Sequence, residues 1–167
     1  ILCLPLKNTN VKYQVFYEDP IYVAVPSWHP LNRESYAKEG EEMRYLPIGA
    51  LQNQTFILTK PTKKTRMAAD RILSNLNGHY QVGMESLNIE TVIRLVAGGL
   101  GISLVPNVFT KTYLTGDKVN YYQLEEQYAP RWQWAVIYND SLSSLSRPSR
   151  ELYHILCDEG CCFPDYI

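Results

Sequence analysis

The 167 residues carry 16 Lys and Arg against 17 Asp and Glu, a formal net charge of −1, and 46% of them are hydrophobic. That apolar content suffices for one sizeable core or two small lobes and excludes a disordered chain. With no long basic run the segment lacks the electrostatic footprint of a nucleic-acid binder, and no apolar stretch approaches the roughly 20 residues a membrane span needs.

In chain order, residues 1–5 read as extended, with Cys3 a small apolar filler. A second extended stretch covers 13–26. Tyr13, Val15 and Tyr17 alternate, Asp19-Pro20 interrupts, and Ile21 to Val25 resumes, so this segment can cross between lobes. His29 precedes Pro30, which biases it to extended backbone. Ser27 is its nearest nucleophile, but no Gly-x-Ser-x-Gly elbow surrounds any serine, and no acid-base pair or metal set can be assembled; no catalytic residue, metal or cofactor is assigned, and no enzymatic activity is expected. Residues 32–44 are polar and read as an irregular or partly helical surface connection. Ile48 to Gln52 suits one helical turn, Thr55 to Leu58 a strand, Pro61 to Leu76 a helix, and Tyr80 to Glu85 a further strand.

Residues 81–106, QVGMESLNIETVIRLVAGGLGISLVP, hold the densest information. Asn88 is a good N-cap, and Ile89, Val92, Ile93, Val96 and Ala97 fall on one helical stripe. Gly98-Gly99 stops that helix. Ile102, Leu104 and Val105 make a short apolar run closed by Pro106, as in a strand buried on both faces of a parallel sheet. The glycines turn the backbone and are not a dinucleotide fingerprint, because they follow a helix and lead into a strand. Beyond them come a helix from Pro106 to Tyr113, strands Val119 to Leu124 and Trp132 to Tyr138, and a final helix from Arg147 to Leu156, with Pro148 suited to its first turn. Tyr121, Tyr122, Tyr128, Trp132 and Trp134 suit sheet and hinge packing, with a ligand cleft or a dimer surface as the alternatives. Cys157, Cys161 and Cys162 with His154 spell H-x2-C-x3-C-C. A structural zinc site takes two ligand pairs from separate turns and no second pair is in sight, so these read as reduced thiols.

Alternating strands and helices with short turns predict an α/β domain with a mainly parallel sheet, whose ligands bind where the βα loops emerge. Three loops qualify: Thr59 to Lys64, Glu85 to Asn88, and Pro106 to Asn107. The first places hydroxyls, N–H groups and lysines at a helix start, which suits an anion. The plainer alternative is that Thr62 or Thr65 only caps the helix while Arg66 pairs with Asp70.

VAGGLGISLVP (96–106) after its helix, with EDPIYVAVPSWHPL (18–31), TFILTKPTKKTRMAADRIL (55–73) and RWQWAVIYNDS (131–141) in order around it, resembles the effector-binding domain of LysR-type transcriptional regulators over about residues 1–157. The resemblance implies a periplasmic-binding-protein type II-like bilobal fold, with a small inducer held between lobes and the first loop contributing polar groups. It predicts a first-lobe fragment and crossing strand in 1–27, a complete second lobe in 28–138, and a return to the only partly present first lobe in 139–167. It also implies a cytoplasmic homodimer or tetramer that contacts DNA only through an N-terminal winged helix-turn-helix absent from these residues. On that reading the 167 residues alone should aggregate. The ligand-binding candidates are Thr59, Lys60, Pro61, Thr62 and Thr65 in the first loop, Asn88 in the second, and Ile102 beyond it. Met67, Ile72, Leu152, Ile155 and Leu156 either complete the lobes or serve subunit pairing. The competing reading is an extracytoplasmic solute-binding protein of the same fold.

Overall fold

The computed structural model describes residues 1–4, 11–112, 115–129, 131–138 and 145–157. They form two compact units, one made of Ile1–Asp19 with the chain from Arg131 onward, the other of Pro20–Pro130. The boundaries differ from those expected of the sequence. Asp19-Pro20 is where one strand ladder ends and another begins, so residues 21–26 go wholly to the second unit, and 132–138 pair within the first.

In the first unit, β1 (Leu2–Cys3) and β2 (Lys12–Asp19) flank β10 (Trp132–Tyr138), both antiparallel to it. A bulge at Trp134/Ala135 shifts the register halfway along. Helix α4 (Arg147–Cys157) packs on β2, and Tyr153 meets Tyr138 edge to face with ring centres 6.1 Å apart. Leu152 and Ile155 remain exposed on α4. Cys3 and Cys157 are both half-buried, while Cys161 and Cys162 lie outside the described residues.

The second unit is built on β3 (Ile21–Pro26), every residue of which is buried. It pairs antiparallel with β8 (Ser103–Pro106) on one side and β9 (Val119–Tyr122) on the other. Strands β6 (Thr55–Thr59) and β7 (Gln81–Ser86) pair parallel. The two ladders meet at one seam, where Ile102 N–H donates to the Thr55 carbonyl at 2.9 Å and Ile57 N–H donates to the Ile102 carbonyl at 2.8 Å. The strand order is therefore β7, β6, β8, β3, β9. The short hairpin of β4 (Tyr36–Ala37) and β5 (Arg44–Tyr45) follows, bridged to β9 through Gln123. The mainly parallel sheet expected from βαβ spacing is thus a mixed one. An all-apolar run marks a strand buried on both faces, but carries no sign of its direction.

Helix α2 (Ile89–Ala97) lays Val92, Ile93 and Val96 on Ala24, Ile57 and Val105, forming one cluster of the core. Asn88 starts it, its Oδ1 accepting the Glu90 N–H at 2.9 Å. Gly99, at φ +81°, ends it: Gly99 N–H donates to the Val96 carbonyl and Leu100 N–H to that of Leu95, the bonding of a Schellman cap. Helix α1 (Lys64–Leu73) packs on β6 and β8 through a face with Ala69, Ile72 and Leu73 buried, so Ile72 completes the core while Met67 stays exposed. A six-residue helix, α3 (Asn107–Thr112), leaves the end of β8. The His29-Pro30-Leu31 segment is a structural turn, with His29 Nδ1 accepting the Leu31 N–H at 3.2 Å.

Candidate functional site

Loops leave the carboxyl ends of the neighbouring parallel strands β6 and β7 on the same side of the sheet, and five of the seven candidates gather in the first. Thr59 is the last residue of β6 and only 4% exposed. Its hydroxyl lies 2.8 Å from that of Thr65, the second residue of α1, and its carbonyl accepts Arg66 Nη1 at 3.2 Å. Lys60, Pro61, Thr62 and Lys63 stand exposed between them. The N-cap of α1 is Lys63, whose side chain makes no capping bond. The plainer alternative therefore holds only in part: neither threonine is the cap, and Thr65 instead ties the helix to the strand. Lys63 N–H donates to the Lys60 carbonyl at 2.9 Å, and the Arg66 and Met67 N–H groups turn back to Lys63.

The second loop is joined to the first. Lys60 N–H donates to the Ser86 carbonyl at 2.8 Å, and Ser86 Oγ accepts the Asn88 N–H at 3.1 Å. Arg66 is the main connector. Its side chain is only 13% exposed, and it donates through Nε to Asp70 at 2.7 Å and through Nη1 to Glu85 at the end of β7. The i, i+4 pair with Asp70 was legible in the sequence. Glu85 was not, because its nearness depends on β6 and β7 being neighbours. The Arg66 charge is answered by two carboxylates, whereas Lys60 and Lys63 project from exposed loop positions, so the rim of the loop is positive.

Asn88 belongs to this second loop, its Oδ1 committed to the cap of α2. Ile102 does not join the group. It is wholly buried at the β6–β8 seam, toward the amino ends of the parallel strands and on the far side of the sheet's middle from the loops. The turn at Gly98 to Gly101 delivers the chain there, and the strand must run on to Pro106 before its own loop begins. Of that third loop, Asn107 N–H donates to the Pro20 carbonyl at 2.9 Å.

A sequence description of the LysR substrate binding domain matches residues 1–156. The RuBisCO operon transcriptional regulator of Allochromatium vinosum is 26% identical over 144 residues, covering 83% of this chain and 42% of the regulator. That of Acidithiobacillus ferrooxidans is 31% identical over 119 residues, covering 71% and 36% respectively. The chain thus spans less than half the length of either relative. Among solved structures, the Synechocystis PCC6803 CcmR regulatory domain in complex with 2-PG superposes with a TM-score of 0.75 at 22% identity, covering 96% of this chain and 72% of that one. The effector-binding domain of QuiR in complex with shikimate gives 0.70 at 16% identity, covering 93% and 68%. The alternation of elements, the loops at the strand ends and the match over nearly the whole sequence agree: this chain belongs to the LysR substrate-binding domain family and has its α/β fold.

Proposed function

We propose that the chain is the ligand-sensing part of a cytoplasmic LysR-type transcriptional regulator, binding a small anionic metabolite through the loop from Thr59 to Thr65. The observation that carries this is the construction of the loop: a buried threonine at the strand end, bonded to Thr65, beneath an exposed rim bearing Lys60 and Lys63. A rim of this kind offers lysine ammonium groups and positive charge to a carboxylate or phosphate. Asn88 supports the neighbouring loop. Binding would change how a separate DNA-binding segment is presented to DNA. The relatives that match are transcriptional regulators, which favours this reading over transport.

Pairing of two copies belongs to the same proposal. Strand β7 has a free edge among the described residues, and beside it Met84 is 44% and Leu87 59% exposed, with Val82 and Met67 also uncovered. An exposed apolar edge of this sort is covered in a homodimer of two-fold symmetry. Sedimentation of the intact regulator should give a dimer that Met84→Glu shifts toward monomer.

The test of ligand class is a thermal-shift screen of anionic metabolites, 2-PG and shikimate included, against the full chain. Anions should raise the melting temperature, and Thr59→Ala and Lys60→Ala should each reduce that rise. Stabilisation by neutral or cationic compounds alone, or unchanged anion binding in both variants, refutes the assignment.

A further inference from the structure

In the second loop, Glu85 to Asn88, one side chain has hydrogen-bonding capacity that the fold leaves unused. Thr59 and Ser86 are register partners at the carboxyl ends of the parallel strands β6 and β7. Residues paired across a ladder carry their side chains on the same face of the sheet, and neighbouring strands lie about 4.8 Å apart, so the two side chains leave the sheet side by side. The Lys60 N–H, donating to the Ser86 carbonyl at 2.8 Å, fixes that placement just beyond the ladder.

Ser86 Oγ accepts the Asn88 N–H at 3.1 Å. A hydroxyl that accepts still has its own hydrogen to give, and among the described residues that of Ser86 has no acceptor. The threonines are in a similar state as a pair. Their oxygens lie 2.8 Å apart with one hydrogen between them, and the second hydrogen is left over. The other side chains of the second loop are engaged or unsuited: Glu85 is held by Arg66, Leu87 is apolar, and the Asn88 Oδ1 caps α2.

Two hydroxyl donors, one at each strand end, fit the two oxygens of one carboxylate or two oxygens of a phosphate. Lys60 stands exposed on the same loop to answer the charge. A carboxamide of the same shape brings one acceptor instead of two, and no charge.

We infer that Ser86 is a ligand-binding residue and that it, rather than Asn88, is the contribution of the second loop. Its hydroxyl takes one oxygen of the anionic group while the Thr59–Thr65 pair takes another, so that the bound group bridges the ends of β6 and β7. This rests on the anion-binding role proposed for the loop from Thr59 to Thr65. The part of Asn88 is then to start α2.

Isothermal titration of the intact regulator with glycolate, succinate and inorganic phosphate tests the inference, with glycolamide as the neutral control. Saturable binding of at least one of these anions is expected, and none of glycolamide. Ser86→Ala should weaken the binding about tenfold, the worth of one hydrogen bond to a charged group. Ser86→Cys, similar in size but a weak donor, should also weaken it, and is the variant to rely on if circular dichroism shows that loss of the Asn88 bond unfolds Ser86→Ala. Unchanged affinity in the folded Ser86 variants, with weakened binding in Thr59→Ala and Lys60→Ala, overturns the inference and leaves the role of the first loop standing. Binding that no variant in either loop alters, or no saturable binding of any of the three anions, overturns both.

Discussion

Replacing Gly101 by alanine tests whether the seam at Ile102 joins the two halves of the second unit's sheet. Gly101 has φ +157°, and an added Cβ would stand 2.5 Å from the Thr55 carbonyl oxygen and 3.3 Å from Ile57 Cγ1. The first contact is backbone and cannot rotate away, so the strands must part by several tenths of an ångström. The same Thr55 oxygen accepts the Ile102 N–H, and the neighbouring Ile57 N–H bond is strained with it. Weakening two ladder bonds worth about 0.5–1.5 kcal/mol each and overpacking a filled core at about 1–3 kcal/mol together give a loss of about 3 kcal/mol. With a urea slope of about 2 kcal/mol per molar the midpoint should fall by about 1.5 M. Urea denaturation followed by far-ultraviolet circular dichroism measures it. A change within about 0.5 kcal/mol would show that the seam yields freely and that the two ladders are not mechanically joined.

Asn88→Ala removes the acceptor for the Glu90 N–H and should cost about 1 kcal/mol in the same denaturation assay, while Asn88→Asp costs much less. Burial lowers the His29 pKa below its ordinary 6.5, and its Nδ1 must be unprotonated to accept the Leu31 N–H. The stability this confers is fully present above pH 6.5 and is lost as pH falls through the lowered folded value. His29→Asn should therefore flatten the fall in urea midpoint between about pH 7 and about pH 5. With a net charge of −1 the 167-residue chain should not retard duplex DNA in a gel even at about 50 mM salt, where phosphate attraction is strong; salt-sensitive retardation would contradict that.

The elements of the second unit were readable because each is punctuated locally. Asn88 and Gly98-Gly99 bracket α2, Asp19-Pro20 separates β2 from β3, and the apolar run before Pro106 is β8. Strand direction was not readable, since Ile21 to Val25 and Ser103 to Val105 look alike whether neighbours run parallel or antiparallel. The loop from Thr59 to Lys63 announced itself through its residue types. Its fastening to Glu85 and Ser86 did not, because those contacts span 19 and 26 residues of sequence and exist only once β6 and β7 lie side by side. Ile102 stands apart from the loops because it bridges to Phe56 near the amino end of β6, a placement that depends on which strand lies beside it and not on its local sequence.

The bonds from Lys60 to Ser86 and from Arg66 to Glu85 make the two loops one mechanical body. Substitutions in one should show epistasis with substitutions in the other: a change at Arg66 alters the register in which Ser86 and Asn88 are presented, so its effect depends on what those positions hold. Retuning specificity by single changes would then meet diminishing returns. Under the proposed ligand role of the Thr59–Thr65 loop, coordinated replacement of Arg66 with Glu85, which preserves or removes both ends of the tie together, would be a smoother route to a different ligand than varying the exposed rim alone.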